Sequence, residues 1–481
     1  MSKKKQKANT PQADDKAGVS AHSGWPRMLQ RTLLVLVTVF YISVFFPGLL
    51  DLDSQRILFQ GINPGIPRDN LYAPLLTVMF GVIFRIFQNI GFIWCIVAFS
   101  YLYGAYRVAQ LCGSMFVVCF LGLTFCPPIL FLLEKLLAST WCLTFFLYAV
   151  LFTFLAFREY RRLWVFLAAL FSALAATTRV DYNIPAVILI AGLCVMTHRT
   201  VAGPSRMARC KKTLFPVLVF LLGWVVFYWP ASLTVKHKLH TQTTFMVWDI
   251  VGANYFAGTE SFDLCSHRIS MKDVGPHYNG YGSDVFTWGK QSIIPGKNFY
   301  HWDADDARCI KEAWLRTIKT HPSALIRHKM NVAGKIWASS FASYWHPRPL
   351  YDATWLPKNA DPKQVTQLPT PRREWLGSLQ GTLDSRYFWD IRTYLCMALA
   401  SLVVIRYRRK RETWFGIMLF LSSLLFMIAL TFTVPSVRFV YFIWCVPVAV
   451  ILFSLALDAL WRSPGRGEDE TGAAGNAKAN G

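Results

Sequence analysis

Charged residues are scarce in this 481-residue chain: they make up 16% of it, whereas a soluble globular protein has about 25%. Acidic residues are scarcer than basic ones, with 27 Asp and Glu against 50 Lys and Arg. Hydrophobic residues make up 54% of the chain, and apolar runs long enough to cross a ~30 Å hydrocarbon core recur along its whole length. This balance excludes an ordinary soluble globule and predicts a membrane protein.

Motifs for metal binding and redox chemistry are also missing. The eleven cysteines include no CxxC pair, and most lie in apolar runs, where a cysteine is a small hydrophobic residue. Eight histidines lie between His237 and His346 without HxxxH spacing, so we interpret them as surface or packing residues. The sequence therefore predicts no cofactor, and these residues do not indicate a divalent metal.

The basic residues lie between the apolar runs and not on one polar domain, which argues against binding of nucleic acid despite the net charge of +23. Short cytoplasmic loops of membrane proteins carry an excess of Lys and Arg. Four segments have this character, and we place all of them in the cytoplasm: residues 1–30, 158–162, 199–212 and 406–411.

This orientation predicts an all-α polytopic membrane protein of about ten transmembrane helices, with both termini cytoplasmic. The predicted spans are 31–49, 90–109, 113–133, 141–157, 163–178, 184–197, 214–229, 388–405, 414–433 and 438–458. The predicted units are a disordered tail (1–30), an N-terminal transmembrane domain (31–229), an extracytoplasmic domain (230–387), C-terminal transmembrane helices (388–460) and a second disordered tail (461–481).

One apolar run, residues 72–87, does not fit as a crossing. Counting it as a span inverts every later loop and places the basic residues 158–162 outside. We therefore predict a helix that lies in the outer interface or dips back into it, although a missed pair of spans also restores the parity.

The large polar segment, residues 230–387, interleaves Gly, Pro, aromatic residues and both charge signs, which indicates a folded domain of mixed structure. Within it the sequence predicts amphipathic helices at 303–318 and 322–337. Cys265 and Cys309 are its only cysteines, and we expect them to form a disulfide because the segment is placed in an oxidising compartment.

Two carboxylates, Asp51 and Asp53, follow the first span directly, in the predicted first loop (51–72). Acidic groups at membrane depth are costly, so they are functional candidates where they face a cavity. The alternative is that both aspartates are solvated residues at the start of a loop and have no function.

A basic N-terminus and first span are followed by Pro47-Gly48, then Asp53-Ser54, and about twenty residues later by Pro74-Leu75. This order of features resembles that of bacterial membrane glycosyltransferases of the GT-C class. The chain is similar in this to protein O-mannosyltransferases and to the lipid A aminoarabinose transferase, which take a sugar from a polyprenyl-phosphate carrier. The resemblance is spread thinly over residues 30–450.

The resemblance implies roles for particular residues. Asp53 matches the proposed catalytic base of the family better than Asp51, which would assist it or coordinate a metal. Arg179 and Arg438 occupy positions associated with the carrier phosphate, and an arginine fork suits phosphate oxygens. Interfacial anchoring is the alternative for both arginines.

Three further residues are weaker substrate-binding candidates: Glu134, Asp181 and Tyr72. Glu134 is the nearest acidic residue in the second outside loop, where the family usually has one, but Ser139-Thr140-Trp141 is an alternative counterpart without a carboxylate. Tyr72 stands where these enzymes often have His, which puts a substrate contact there in doubt.

The expected function is transfer of a sugar from a polyprenyl-phosphate donor to a lipid, glycan or protein acceptor at the outer face of the bacterial inner membrane. A polymerase or ligase of surface polysaccharide that uses an undecaprenyl-diphosphate-linked glycan is an alternative enzyme. A transporter is the non-enzymatic alternative, but it predicts inverted repeats and helix breaks at the span centres, and the sequence shows neither.

The predicted orientation can be tested with alkaline-phosphatase fusions, which are active only outside the cytoplasm. An active fusion at Arg161 would contradict the orientation and show that residues 72–87 cross the membrane. Active fusions are expected after Ser54, Asp181, Gly280 and Ser436, and inactive ones near Arg161, Arg206 and Lys410.

Overall fold

The structure is a computed structural model of the full chain. It describes residues 25–48, 52–63, 68–70, 73–133, 138–159, 161–200, 206–287, 292–294, 302–338, 375, 378, 390–408, 410–433 and 442–461. Most of the two predicted tails therefore lies outside the described residues.

The described chain is almost entirely helical. The helices before the large polar segment are α1 (Arg27–Phe45), α2 (Leu52–Ile62), α3 (Pro74–Phe87), α4 (Ile90–Leu111), α5 (Phe116–Phe125), α6 (Pro127–Leu133), α7 (Ala138–Arg158), α8 (Arg162–Thr178), α9 (Asn183–Thr200) and α10 (Arg206–Ser232). In and after that segment they are α11 (Gln242–Ala257), α12 (Met271–Val274), α13 (Asp284–Thr287), α14 (Ala304–Thr320), α15 (Pro322–Ala338), α16 (Ile391–Arg408), α17 (Lys410–Thr433) and α18 (Cys445–Trp461).

Six of these helical stretches are long and apolar enough to cross a membrane, or seven if one bent pair is a single span. Three shorter apolar helices accompany them: α3, α8 and α18. The coarse prediction of a helical membrane-spanning protein therefore agrees with the structure. The six stretches are Arg27–Phe45, Ile90–Leu111, Ala138–Arg158, Val180–His198, Lys212–Ser232 and Glu412–Thr433.

One predicted span, 113–133, is not a continuous helix. It breaks between α5 and α6, which meet at an angle of 56°. Pro127 and Pro128 follow the break, and a proline inside a helix removes a backbone donor and clashes with the preceding turn. The helix therefore restarts at Pro127, a first-turn position that tolerates proline.

The long helices form a bundle, and one end of it is defined by contacts around Asp458. The Ser114 backbone N–H, between α4 and α5, donates to the Asp458 carboxylate in the last turns of α18 at 2.9 Å. The Trp25 indole N–H, just before α1, donates to the Ser114 carbonyl at 3.2 Å. We name this the Asp458 end.

The Asp458 end also contains an ion pair between two other helices. Arg158, the last residue of α7, lies 3.1 Å from Glu412 near the start of α17. The Trp444 indole N–H, just before α18, donates to the Ser422 hydroxyl in α17 at 3.0 Å, and Gly416 packs against Leu452 further along α18. The two helices therefore run in opposite directions, and the start of α17 lies beside the end of α18.

The opposite end of the bundle is named the Arg179 end. Here Arg179, just after α8, donates to the Ser139 hydroxyl in the first turn of α7. The Trp94 indole in the first turns of α4 donates to the Leu133 carbonyl at the end of α6, at 2.9 Å. The ring of Phe80, in the middle of α3, lies 6.1 Å from that of Trp141, so α3 packs at this end too.

Helices α2 and α3 cross in backbone contact. A Cβ atom on Gly81 would lie 2.3 Å from the Gly61 carbonyl oxygen, and one on Gly61 would lie 2.5 Å from the Thr77 carbonyl oxygen. Real side chains do not tolerate such distances, so glycine is needed at both positions. The other face of α3 leaves apolar side chains exposed, among them Val82 and Ile86.

The described part of the large polar segment combines helices with one antiparallel hairpin, β1 (Ser261–Leu264) and β2 (His267–Ser270), in which Ser261 pairs with Ser270. The two predicted amphipathic helices are present as α14 and α15. Asp303 caps α14 by accepting from the N–H groups of Asp305 and Asp306.

The expected disulfide is formed in the structure. Cys265 lies in the turn between β1 and β2, and Cys309 lies in α14, with their Cα atoms 5.4 Å apart. This distance is within the range that a disulfide bridges. The bond ties the hairpin to the helix.

Candidate functional site

Four of the predicted site residues lie outside the described residues: Asp51, Tyr72, Glu134 and Arg438. Asp53 lies in the first turn of α2, but its side chain is also outside the described part. The geometry given below is therefore that of described residues at the Arg179 end of the bundle and in the segments that follow α2 and α10.

Arg179 and Asp181 form a bidentate ion pair. Arg179 Nε lies 3.0 Å from Asp181 Oδ1, and its terminal nitrogen lies 2.6 Å from Asp181 Oδ2. A third guanidinium nitrogen donates to the Ser139 hydroxyl. Two predicted site residues are thus brought together, and they are only partly exposed, at 13% and 20% of their side chains.

The backbone changes conformation at Arg179, directly after the end of α8. Helix α8 ends at Thr178, and Arg179 is extended, with φ −149° and ψ 121°. A single 3-10 turn, Val180–Tyr182, follows and buries the Tyr182 ring beside the guanidinium, with its centroid 5.8 Å from the guanidinium carbon. This turn holds the fork of Arg179 in one orientation.

A second group of polar residues, which the sequence analysis missed, lies on α2 and the loop after it. Arg56 Nε and a terminal nitrogen lie 2.9 and 2.5 Å from Asp69 Oδ2. The Gln60 side-chain amide donates to the same oxygen at 2.6 Å. Asp69 is 3% exposed, so a buried carboxylate anchors the helix that begins beside Asp53.

The same loop is hydrogen-bonded to the start of the large polar segment. The backbone N–H groups of Lys236 and His237 donate to the Arg68 carbonyl at 2.9 and 3.0 Å. The Asn70 side chain donates to the Leu239 carbonyl at 2.9 Å and accepts from the Leu239 N–H at 2.5 Å. Residues 68–70 are therefore tied directly to the start of the large segment.

A buried charge cluster lies inside the large polar segment. Asp249 on α11 is 1% exposed, and its carboxylate lies 2.7 Å from Lys329 Nζ and 3.2 Å from His328 Nε2, both on α15. The Trp314 indole donates to Asp249 at 3.0 Å, and the Tyr278 hydroxyl lies 2.8 Å from His328 Nδ1. No spacing or motif in the sequence connects Asp249 with these partners.

This cluster also touches the helical bundle. Lys329 Nζ donates to the carbonyl of Phe432, in the last turn of α17, at 2.9 Å. One lysine therefore joins the buried carboxylate of the large segment to a long apolar helix.

His328 is a packing residue, in agreement with the interpretation of the histidines. Its side chain is fully buried, and a Cβ atom on Gly252 would lie 2.1 Å from its Nδ1, so only glycine fits opposite the ring. Burial lowers the pKa of His328 below its ordinary 6.5, and the nearby Lys329 lowers it as well, although Asp249 acts in the opposite direction.

The chemistry available at the Arg179 end is that of a positioned cation with hydrogen-bond donors and of carboxylates close to it. Such a set can bind a phosphate group or orient a hydroxyl. Within the described part of the chain, no three His, Cys, Asp or Glu side chains converge as metal ligands would.

Comparison with known proteins identified no relative of this chain. No family model matches the chain, and neither a curated protein nor a solved structure matches it.

The pKa of His328 makes the large segment sensitive to acid. The folded state binds the proton less readily than the unfolded state, so stability should fall as the pH decreases from about 6.5 towards the lowered pKa. Thermal unfolding of the full-length protein in detergent should therefore show a midpoint that drops from pH 7 to pH 5.

Two variants distinguish the contribution of His328 to this pH dependence from that of the other histidines. The dependence on pH should be weaker in His328→Asn and unchanged in His277→Asn, which alters an exposed histidine of the same segment. An equally steep dependence in His328→Asn would show that another group is responsible.

Proposed function

We propose that this protein is a membrane glycosyltransferase that moves a sugar from a polyprenyl-phosphate carrier to a lipid, glycan or protein acceptor. The reaction takes place at the outer face of the bacterial inner membrane. The observation that carries this proposal is the oriented Arg179 fork, held by Asp181 and Ser139 at the end of the bundle.

The proposed topology has ten spans, with α5 and α6 as one broken span and α2 and α3 outside the count. Alternation then puts the Arg179 end outside and the Asp458 end in the cytoplasm. Three observations support it: α3 packs at the Arg179 end, the basic residues 158–162 follow the end of α7, and a disulfide links Cys265 to Cys309.

In the proposed reaction the acceptor hydroxyl attacks the anomeric carbon of the donor sugar. Asp53 accepts the hydroxyl proton, the new glycosidic bond forms, and the bond between the anomeric carbon and the phosphate oxygen breaks. The leaving group is polyprenyl phosphate, which departs as an anion and needs positive charge but no proton.

Arg179 and Arg438 supply that charge. Arg179 is oriented by its carboxylate partner before a donor arrives, so less conformational entropy is lost on binding. A phosphate shares or displaces Asp181 at the fork, and the carboxylate that it displaces then lies beside the reacting groups. Glu134, Asp181 and Tyr72 stay substrate-binding candidates, and Asp51 assists Asp53.

The anchoring of α2 supports a catalytic role for its first turn. The Arg56–Asp69–Gln60 contacts fix the helix, and the hydrogen bonds to Lys236, His237 and Leu239 fix the loop that follows. A base must stay within hydrogen-bond reach of its proton, so a rigid helix suits this task.

The test of the proposal is Asp53→Asn, which keeps the shape of the side chain but cannot accept a proton. We expect the protein to insert normally and transfer to fall by about 10²–10⁴, the usual cost of removing a general base. The measurement is the sugar content of envelope lipids, glycans and proteins by mass spectrometry, in cells with and without the protein at matched levels.

Arg179→Lys and Asp305→Asn complete the experiment. The lysine keeps the charge but loses the fork, so carrier binding should weaken more than the chemical step. Asp305 is an exposed carboxylate, 89% accessible, and its variant should behave as wild type. Wild-type transfer by Asp53→Asn would remove Asp53 as the base, and wild-type transfer after changes at both Asp51 and Asp53 would contradict the proposed glycosyltransferase.

A further inference from the structure

A cavity of about 340 Å³ lies at the Asp458 end, away from the proposed catalytic groups. This volume is within the range of small-molecule sites. It is lined by Phe154, Phe157, Arg158, Glu412 and Phe415, which come from the end of α7 and the start of α17.

Aromatic rings form the inner wall of the cavity. Phe154 and Phe415 are 2% and 1% exposed, and their rings meet edge to face with centroids 4.7 Å apart. The Phe157 ring lies 6.0 Å from that of Phe415. Phe154 and Phe415 are almost fully buried, so the accessible apolar surface of the wall comes mainly from Phe157, which is partly exposed.

The two charged residues of the lining are partly accessible. The side chains of Arg158 and Glu412 are 33% and 16% exposed, with 3.1 Å between their charged groups. The Arg158 guanidinium also lies over the Phe154 ring, 4.6 Å from its centroid. One positive and one negative group thus face the same small space, and together they have no net charge.

We propose that this cavity binds the headgroup of a zwitterionic phospholipid. The phosphate diester lies against Arg158, and the ammonium group lies against Glu412. The glycerol and the first methylenes of the acyl chains lie against Phe157.

Charge complementarity decides the class of lipid. Phosphatidylethanolamine has a positive and a negative group a few bonds apart and no net charge, as the Arg158–Glu412 pair does. An anionic headgroup would also bind Arg158, but its uncompensated negative charge would lie beside the Glu412 carboxylate, and this repulsion costs free energy.

The position of the cavity favours a membrane lipid over a soluble phosphodiester. It lies at the end of a bundle of long apolar helices, where a headgroup is available at high local concentration and the acyl chains find an apolar surface. The lipid-site proposal is independent of the proposed glycosyl transfer, so either of the two can be wrong without affecting the other.

The experiment uses the full-length protein, purified in detergent, stripped of lipid and titrated with defined lipids under native mass spectrometry. The probes are 1-palmitoyl-2-oleoyl-phosphatidylethanolamine, the phosphatidylglycerol with the same chains, and soluble glycerophosphoethanolamine. We expect the first to bind about tenfold more tightly than either of the others. Equal binding of phosphatidylglycerol would overturn the assignment to a zwitterion, and equal binding of the soluble probe would overturn the assignment to a lipid.

Glu412→Gln tests the role of the carboxylate without changing the size of the side chain. Affinity for phosphatidylethanolamine should fall about tenfold, because a hydrogen bond to a charged group is lost. Unchanged affinity would contradict the proposal.

Two further variants control this result. Glu159→Gln removes a carboxylate that pairs with Arg161 at 3.2 Å next to the cavity and is not part of its lining, so lipid binding should not change. Glu412→Asp keeps the negative charge but shortens the side chain by one methylene. It serves as the test variant if the Glu412→Gln protein does not fold. It should also weaken binding of phosphatidylethanolamine, and wild-type affinity in Glu412→Asp would argue against a close contact.

Discussion

The constraint on which this structure depends is that polar groups inside an apolar helix bundle must find a partner nearby. A hydroxyl that is buried without a hydrogen bond costs free energy, and there is no water in a hydrocarbon core to supply one. Several buried hydroxyls in the bundle meet this demand within their own helix, by donating to the carbonyl four residues earlier. These are Thr124, Thr144, Ser172, Thr177, Thr197 and Ser454.

Charged groups cannot be satisfied in this way, and several of them meet their partners at the two ends of the bundle. Arg179 pairs with Asp181 at one end, and Arg158 pairs with Glu412 at the other. The same separation places the proposed catalytic groups at one membrane face and the proposed lipid site at the opposite face. It also explains why the large polar segment joins the bundle through the end of a helix, where Lys329 reaches the Phe432 carbonyl.

Local features of the fold could be predicted from the sequence because their causes are local. An apolar helix, Arg162–Thr178, covers the predicted span 163–178, and the predicted helix 303–318 is present as Ala304–Thr320 behind its Asp303 cap. The disulfide could be predicted because only two cysteines were available in the large polar segment. The break before Pro127 was missed, although the two prolines were a sufficient signal.

Partners that are distant in sequence could not be predicted. The contact of Asp249 with Lys329 spans most of the large segment, and no periodicity or spacing connects the two positions. The Arg56–Asp69 pair is closer in sequence, but a charged residue in a loop is usually solvated, so its burial follows only from the packing of α2. Of the candidate site, the sequence predicted Arg179 and Asp181 but not the contact between them.

The most direct measurement of the central claim is photo-crosslinking of the full-length protein with a polyprenyl phosphate that carries a diazirine near its phosphate, followed by peptide mapping. The account predicts that labelled peptides come from the Arg179 end, above all from α2 and from the turn at Val180–Tyr182. It also predicts that unlabelled polyprenyl phosphate competes with the probe. Labelling confined to the Asp458 end, or labelling that an excess of unlabelled carrier does not reduce, would contradict it.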